Sequence, residues 1–263
     1  FIDRYEAEFI PLVEVLDTES GIGYRNMGTP EMDGSPLIDK LAIGNGFGGD
    51  LSSFTAIEDF KWQICQRALE ENKREVVIDD SLIEQLSKKE FDQATVADSI
   101  SVMVKLNAQS SQHVDDGNYT ITLESPSGPS GANLLTRFCH LDSNIEKLTR
   151  AILFKEQELQ QDCIFAEIVH LPESRVGNIL ARPLLRKYEI PYLCRPAVSK
   201  DFQISINDLL VGIENNRVVL RSKKFNKEVL PRLTNAHNFH NTTLPIYRFL
   251  CDLQFQWARQ VSW

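Results

Sequence analysis

"LLVGIENNRVVLRS", residues 209–222, decides the fold class. Apolar, branched residues run on either side of Asn215 and Asn216, and asparagine tolerates the positive φ that a tight hairpin turn demands. Two strands reversing at that point predict a sheet. Outward from it, "IFAEIVHL" (164–171), "SVMVKLNA" (101–108) and "YTITLES" (119–125) read as further strands, with β-branched residues at alternating positions in the last two. "IPLVEVLD" (10–17) and "EVVID" (75–79) read as short strands. Helical periodicity appears elsewhere. "AIEDFKWQICQRALEEN" (56–72) sets Phe60, Ile64 and Leu69 near one face. "SLIEQLSKKEF" (81–91) follows a cap at Asp80 or Ser81. "SNIEKLTRAILFKEQELQQ" (143–161) offers Ser143 as N-cap and Glu146 as its capping-box partner. "LPIYRFLCDLQFQWARQ" (244–260) has Pro245 in its first turn. The fold class predicted is α+β, with mixed sheets and several long amphipathic helices.

The 263 residues suffice for one compact unit, and "SPSGPSG" (125–131) is too short for a domain linker. The apolar share of 42 % and charged share of 25 % fit a globular protein. No apolar run reaches the ~18 residues of a membrane helix. The opening "FIDRYEAEF" has no apolar stretch of the signal-peptide kind, and its start at Phe1 predicts an excised fragment. Five scattered cysteines without a CxxC pair fit a reducing cytoplasm and read as small hydrophobes.

Charge is uneven. The net is -9, yet Glu173 to Arg232 holds twelve Lys plus Arg against six Asp plus Glu; residues 233–263 add +1, and residues 1–172 carry -16. Either this segment meets an anionic partner or it faces the acidic part of its own molecule. Within it, "GNILARPLLRKYEIPY" (177–192) places Arg182 before Pro183, which biases it away from helix. An extended Arg182 forms no local i,i+4 pair, so its planar fork is free for a carboxylate or phosphate from elsewhere. "RVVLRSKKFNKEVLPRL" (217–233) adds a second basic run, in which Arg217, Arg221 and Lys223 share a strand face. No aromatic platform is interleaved, so nucleic acid would be met at its phosphates.

Other motifs are weaker. "GNGFGG" (44–49) fits GxGxxG but follows a poor strand and precedes Asp50, and reads as a loop. "HNFH" (237–240) lacks a third metal ligand and reads as a polar turn or substrate-contact loop. No GxSxG elbow occurs, and adjacent Cys139 and His140 point apart. Asp17 ends its strand at a turn, where either a reactive carboxylate or an Asx turn fits.

Four blocks carry a family resemblance: "FIDRYEAEFIPLVEVLDTESGIGY" (1–24), "LPESRVGNILARPLLRKYEIPY" (171–192), "INDLLVGIENNRVVLRSKKFNKEVLPRLTNAHNF" (206–239) and "LPIYRFLCDLQFQ" (244–256). In their order they resemble the later part of the N-terminal glutamylation region of lantibiotic (class I lanthipeptide) dehydratases. Residues 25–160 match only in their order of elements. The resemblance implies antibiotic biosynthesis by tRNA-dependent post-translational modification. Glutamyl-tRNA serves as co-substrate without another cofactor or a metal, and Ser and Thr of a precursor peptide are glutamylated before glutamate is eliminated. It implies as partners glutamyl-tRNA, the precursor peptide, the remaining regions of the dehydratase and a cyclase. Asp17, with Asp3 near it in the same block, and Arg182 match the family's glutamylation Asp and Arg. Arg175, Arg186, Arg195, Arg221, Lys223 and Arg232 are then the candidate tRNA or substrate contacts. The chain alone is expected to be inactive. The competing readings are a non-catalytic scaffold that binds tRNA or peptide, and a nucleotide-dependent enzyme using the glycine loop.

Overall fold

The computed structural model describes residues 1–24, 56–90, 97–170, 182–235, 237, 239 and 244–256, and the chain divides into two compact units. One holds Phe1–Asn26 and Thr95–Trp263, the other Met27–Ala94. The strands are β1 (Ile10–Pro11), β2 (Ser101–Asn107), β3 (Thr120–Ser127), β4 (Cys163–Val169), β5 (Tyr188–Pro191), β6 (Leu209–Glu214), β7 (Arg217–Ser222) and β8 (Lys227–Arg232). The helices are α1 (Ile2–Tyr5), α2 (Leu12–Val15), α3 (Ala56–Glu70), α4 (Asp80–Glu90), α5 (Ser111–Asp115), α6 (Ser143–Leu159) and α7 (Pro245–Leu253).

Among the described residues of the larger unit, six strands form one sheet in the order β1-β6-β7-β8-β4-β5. The β6–β7 hairpin turns at Asn215 and Asn216, with φ of 50° and 59°. Two positive φ values in succession twist a two-residue turn the same way as its strands. β1, β6, β7 and β8 are antiparallel neighbours, whereas β4 runs parallel to both β8 and β5. Strand β4 is covered on both faces, as parallel strands are, and five consecutive residues from Ile164 to Ile168 are buried. α2, α7 and the sheet share a core of Leu12, Val15, Ile168, Ile190, Leu220 and Tyr247. α6 buries Thr149, Leu153 and Glu156, spaced along one face.

Among the described residues, β2 and β3 pair only with each other, with a bulge between Met103 and Val104. The smaller unit contains α3 and α4, and Phe60 is buried there while Leu69 is exposed.

Local geometry departs from the sequence reading in four places. "IPLVEVLD" makes a two-residue strand and then α2, because the proline at position 11 takes the helix-entry position and cannot donate to a ladder. "EVVID" forms no strand, and Val76, Val77 and Ile78 are exposed. Leu82 N–H is capped by Asp79, one residue before the expected caps. Asp142, rather than Ser143, caps α6 by accepting from Asn144 N–H at 2.7 Å, which leaves Glu146 to pair with Arg150. Among the described residues no helix is long and apolar enough to cross a membrane.

Candidate functional site

The parallel trio β8-β4-β5 brings three carboxyl ends together, the edge where sheets of this kind gather ligand-facing groups. His170 follows β4, Tyr192 follows β5, and Thr234 and His237 follow β8. His170 Nδ1 lies 2.9 Å from the Tyr192 carbonyl, and its ring lies 4.6 Å from that of Tyr247 on α7. His237 Nδ1 lies 2.9 Å from Tyr247 Oη. Burial, and then neighbouring His170, hold the His237 pKa below its ordinary value, while burial pushes the Tyr247 phenol up. Both rings are therefore neutral at pH 7 and suited to hydrogen bonding.

Below them runs a chain of buried ions. Arg182 Nη2 sits 3.0 Å from Glu167 Oε1 on β4, with the arginine side chain 14 % exposed and the carboxylate 4 %. Glu167 Oε1 also accepts from Thr234 N–H at 2.8 Å. Arg186 donates to Glu156 Oε2 at 2.9 Å and to Thr234 Oγ1 at 3.1 Å, and its Nε stands 3.6 Å from Glu167 Oε2. Glu156 Oε1 accepts from Ser99 and Ser130, each at 2.6 Å. Two carboxylates and two guanidiniums thus lie together away from water, joined by ion pairs and by charge-assisted hydrogen bonds. The Ser130 hydroxyl in "SPSGPSG" is buried, donating to Glu156 Oε1 and accepting from Ala132 N–H.

The predicted site residues divide accordingly. Arg182 lies outside helix and strand, and the carboxylate from elsewhere that it meets is Glu167. It lines a small cleft with Pro183, Leu184, Glu189 and Ala197. Asp17 is exposed, and its Oδ1 accepts from Glu19 N–H at 3.0 Å, Ser20 N–H at 2.6 Å and Ser20 Oγ at 2.8 Å. These bonds, led by that from Ser20 N–H, lower its pKa and make an Asx turn. Arg186, expected as a tRNA or substrate contact, is buried, with its guanidinium enclosed by Glu156, Glu167 and Thr234.

Arg221 pairs with Glu214 at 3.1 Å and Arg217 with Glu228, so acids of the same sheet face these arginines. Lys223 lies past the end of β7 in an exposed turn and does not share the strand face. Arg195 is exposed, and Arg232 lies at the carboxyl end of β8 over the Phe165 ring. Arg175, the glycine stretch 44–49 and His240 fall outside the described residues. The His170–Tyr247–His237 group and the Glu156 and Glu167 partners were missed. A lone glutamate in an otherwise apolar strand, "IFAEIVHL", was the available signal.

A family model described as "Lantibiotic dehydratase, N terminus" matches residues 1–263. The chain is 22 % identical over 260 residues to the subtilin biosynthesis protein SpaB of Bacillus subtilis, which covers 96 % of this chain and 24 % of SpaB. Among solved structures, it resembles the tRNA-dependent lantibiotic dehydratase MibB from Microbispora sp. 107891. The TM-score is 0.72 and the identity 21 %, over 100 % of this chain and 24 % of that one. The glutamylation domain TbtB of thiomuracin biosynthesis, bound to 5'-phosphodesmethylglutamycin, gives a TM-score of 0.50 and 18 % identity over 97 % of this chain and 31 % of that one. The chain thus spans about a quarter of the length of SpaB and MibB.

Proposed function

Since this chain belongs to the lantibiotic dehydratase family, within its N-terminal region, we propose that it is part of a tRNA-dependent apparatus that glutamylates Ser and Thr of a precursor peptide before glutamate is eliminated. The observation that carries this reading onto particular residues is Arg182. It is held by Glu167 at the carboxyl ends of the parallel strands, yet it lines a cleft and keeps donors beyond the one atom paired. A guanidinium so placed is oriented by its buried carboxylate and offers its remaining N–H groups to the carboxylate or phosphate of an incoming glutamyl-tRNA. In the transfer, the peptide hydroxyl oxygen attacks the glutamyl ester carbonyl, the tRNA oxygen departs with a proton, and Arg182 positions the anion beside that centre. Asp17 keeps Oδ2 outside its turn bonds and is the second candidate. Arg195, Lys223 and Arg232 remain candidates for phosphate or substrate contacts.

The scaffold reading draws support from Arg186, Arg217 and Arg221, whose charges are used internally. Arg182→Lys in the complete dehydratase separates the two. It keeps the charge and removes the fork. Glutamate transfer from tRNA should fall by a factor equivalent to about 1.5–3 kcal/mol, while glutamate loss from a pre-glutamylated peptide is spared. Normal transfer, or equal loss of both steps, leaves Arg182 as a structural arginine.

A further inference from the structure

β7 and β8 form an antiparallel ladder at only two positions, Arg221↔Glu228 and Ser222↔Lys227. Continued in register, it would set Leu220 against Val229 and Val218 against Pro231. Proline has no N–H to donate across a ladder. Both strands instead line a cleft of about 410 Å³, with Val218 and Leu220 from β7 and Val229, Leu230, Pro231 and Arg232 from β8.

The edge of β7 in this cleft already carries a peptide-like group. Val218 N–H donates to Gln256 Oε1 at 2.8 Å, and Val218 carbonyl accepts from Gln256 Nε2 at 2.8 Å. A carboxamide presents the same donor and acceptor as a backbone amide, and it supplies the N–H that Pro231 lacks. Gln256 is itself exposed, so its side chain has room to leave.

The opposite wall holds a guanidinium that has no ion-pair partner among the described residues. Arg232 Nε is buried with no hydrogen-bond partner, and the bond found for the side chain is a long one, 3.4 Å, from Nη1 to the Pro231 carbonyl. Burial, and then the neighbouring Arg186 charge, lower its pKa to about 10, so it is still a cation at pH 7. The two acids of the cleft are already engaged, Glu228 with Arg217 and Asp98 with the Gln160 amide.

We propose that this cleft is a docking site for an extended peptide segment bearing an acidic side chain, whose backbone replaces the Gln256 amide on Val218 and whose carboxylate pairs with Arg232. Main-chain bonds to a strand edge supply affinity in such docking, and a side-chain pocket supplies selectivity. Binding to the cleft is read directly, apart from any assay of glutamate transfer.

The test titrates the intact protein, by fluorescence polarisation, with a labelled hexapeptide of alternating Thr and Val carrying one central Glu and blocked ends. Its Gln counterpart and a backbone N-methylated version serve as controls. The Glu peptide should bind about tenfold or more tighter than the Gln peptide, the scale of a charged hydrogen bond, and N-methylation should abolish binding. Arg232→Gln should erase the preference for Glu. Gln256→Ala should tighten the Glu peptide by removing its competitor, and this arm keeps the test open if the Arg232 variant misfolds. Equal affinity for the Glu and Gln peptides, no binding of the Glu peptide, indifference to N-methylation, or weaker binding after Gln256→Ala would each overturn the proposal.

Discussion

Glu156 shows what a single residue decides in this molecule. Its carboxylate takes two serine hydroxyls on one oxygen and Arg186 on the other, so no lone pair directed into the core is wasted. Glu156→Ala strands the buried Arg186 charge, and should cost about 3–5 kcal/mol in a denaturant titration. A double change of Glu156 and Arg186 to apolar residues of similar volume should recover much of that loss, because both charges then disappear together. His237 sets a pH dependence. Its pKa in the folded chain lies below the ordinary value of about 6.5, since burial and His170 disfavour the charged ring. The unfolded chain therefore binds that proton more readily. The contribution of neutral His237 is complete above about pH 6.5 and is lost as pH falls below it. Melting followed from pH 7.5 to 5 should show a falling midpoint, and His237→Asn should flatten the slope.

At the scale of elements, what the sequence disclosed depended on how local its cause was. The β6–β7 hairpin was readable because its turn chemistry resides in two adjacent asparagines. Asn215→Ala keeps the strand pattern and puts a β-carbon at positive φ, so it should cost about 1–2 kcal/mol, whereas Asn215→Gly should be neutral or stabilising. Equal denaturation midpoints for the Ala and Gly variants would show that the turn is not held as a primed turn. Helices α3, α6 and α7 were equally readable, since their periodicity spans several turns. "EVVID" misled because its β-branched run finds no neighbouring strand among the described residues, and a strand needs a partner to pair with. The candidate site was half legible. Pro183 disclosed an Arg182 kept out of helix, but Glu167 and Glu156, distant in sequence, could be joined to the arginines only by the packing of β4 on α6. The parallel direction of β4 against β8, which assembles His170, Tyr192 and His237, is likewise a topological fact that periodicity does not encode.

At the scale of the whole molecule, the uneven charge resolves into two populations. Arg182, Arg186, Arg217 and Arg221 spend their charge on carboxylates of their own fold. Arg195 and Lys223 are exposed to solvent. The net positive charge of the segment therefore overstates what a polyanion would feel. If this region contacts tRNA, the affinity should be weak and should fall with salt, with a slope set by the few exposed cations. Replacing Arg195 and Lys223 together by Gln in the complete dehydratase should reduce the slope of log affinity against log salt by about 0.7–0.9 for each phosphate contact removed. Arg221→Gln should leave that slope unchanged, because its guanidinium already faces Glu214. Titrations of tRNA at several salt concentrations on the three proteins provide the comparison. A slope that drops with Arg221→Gln and not with the double variant would mean that the paired face, and not the exposed one, meets the nucleic acid. The Arg221–Glu214 pair would then have to open on binding, at the expense of affinity, and the sheet itself would be the docking platform.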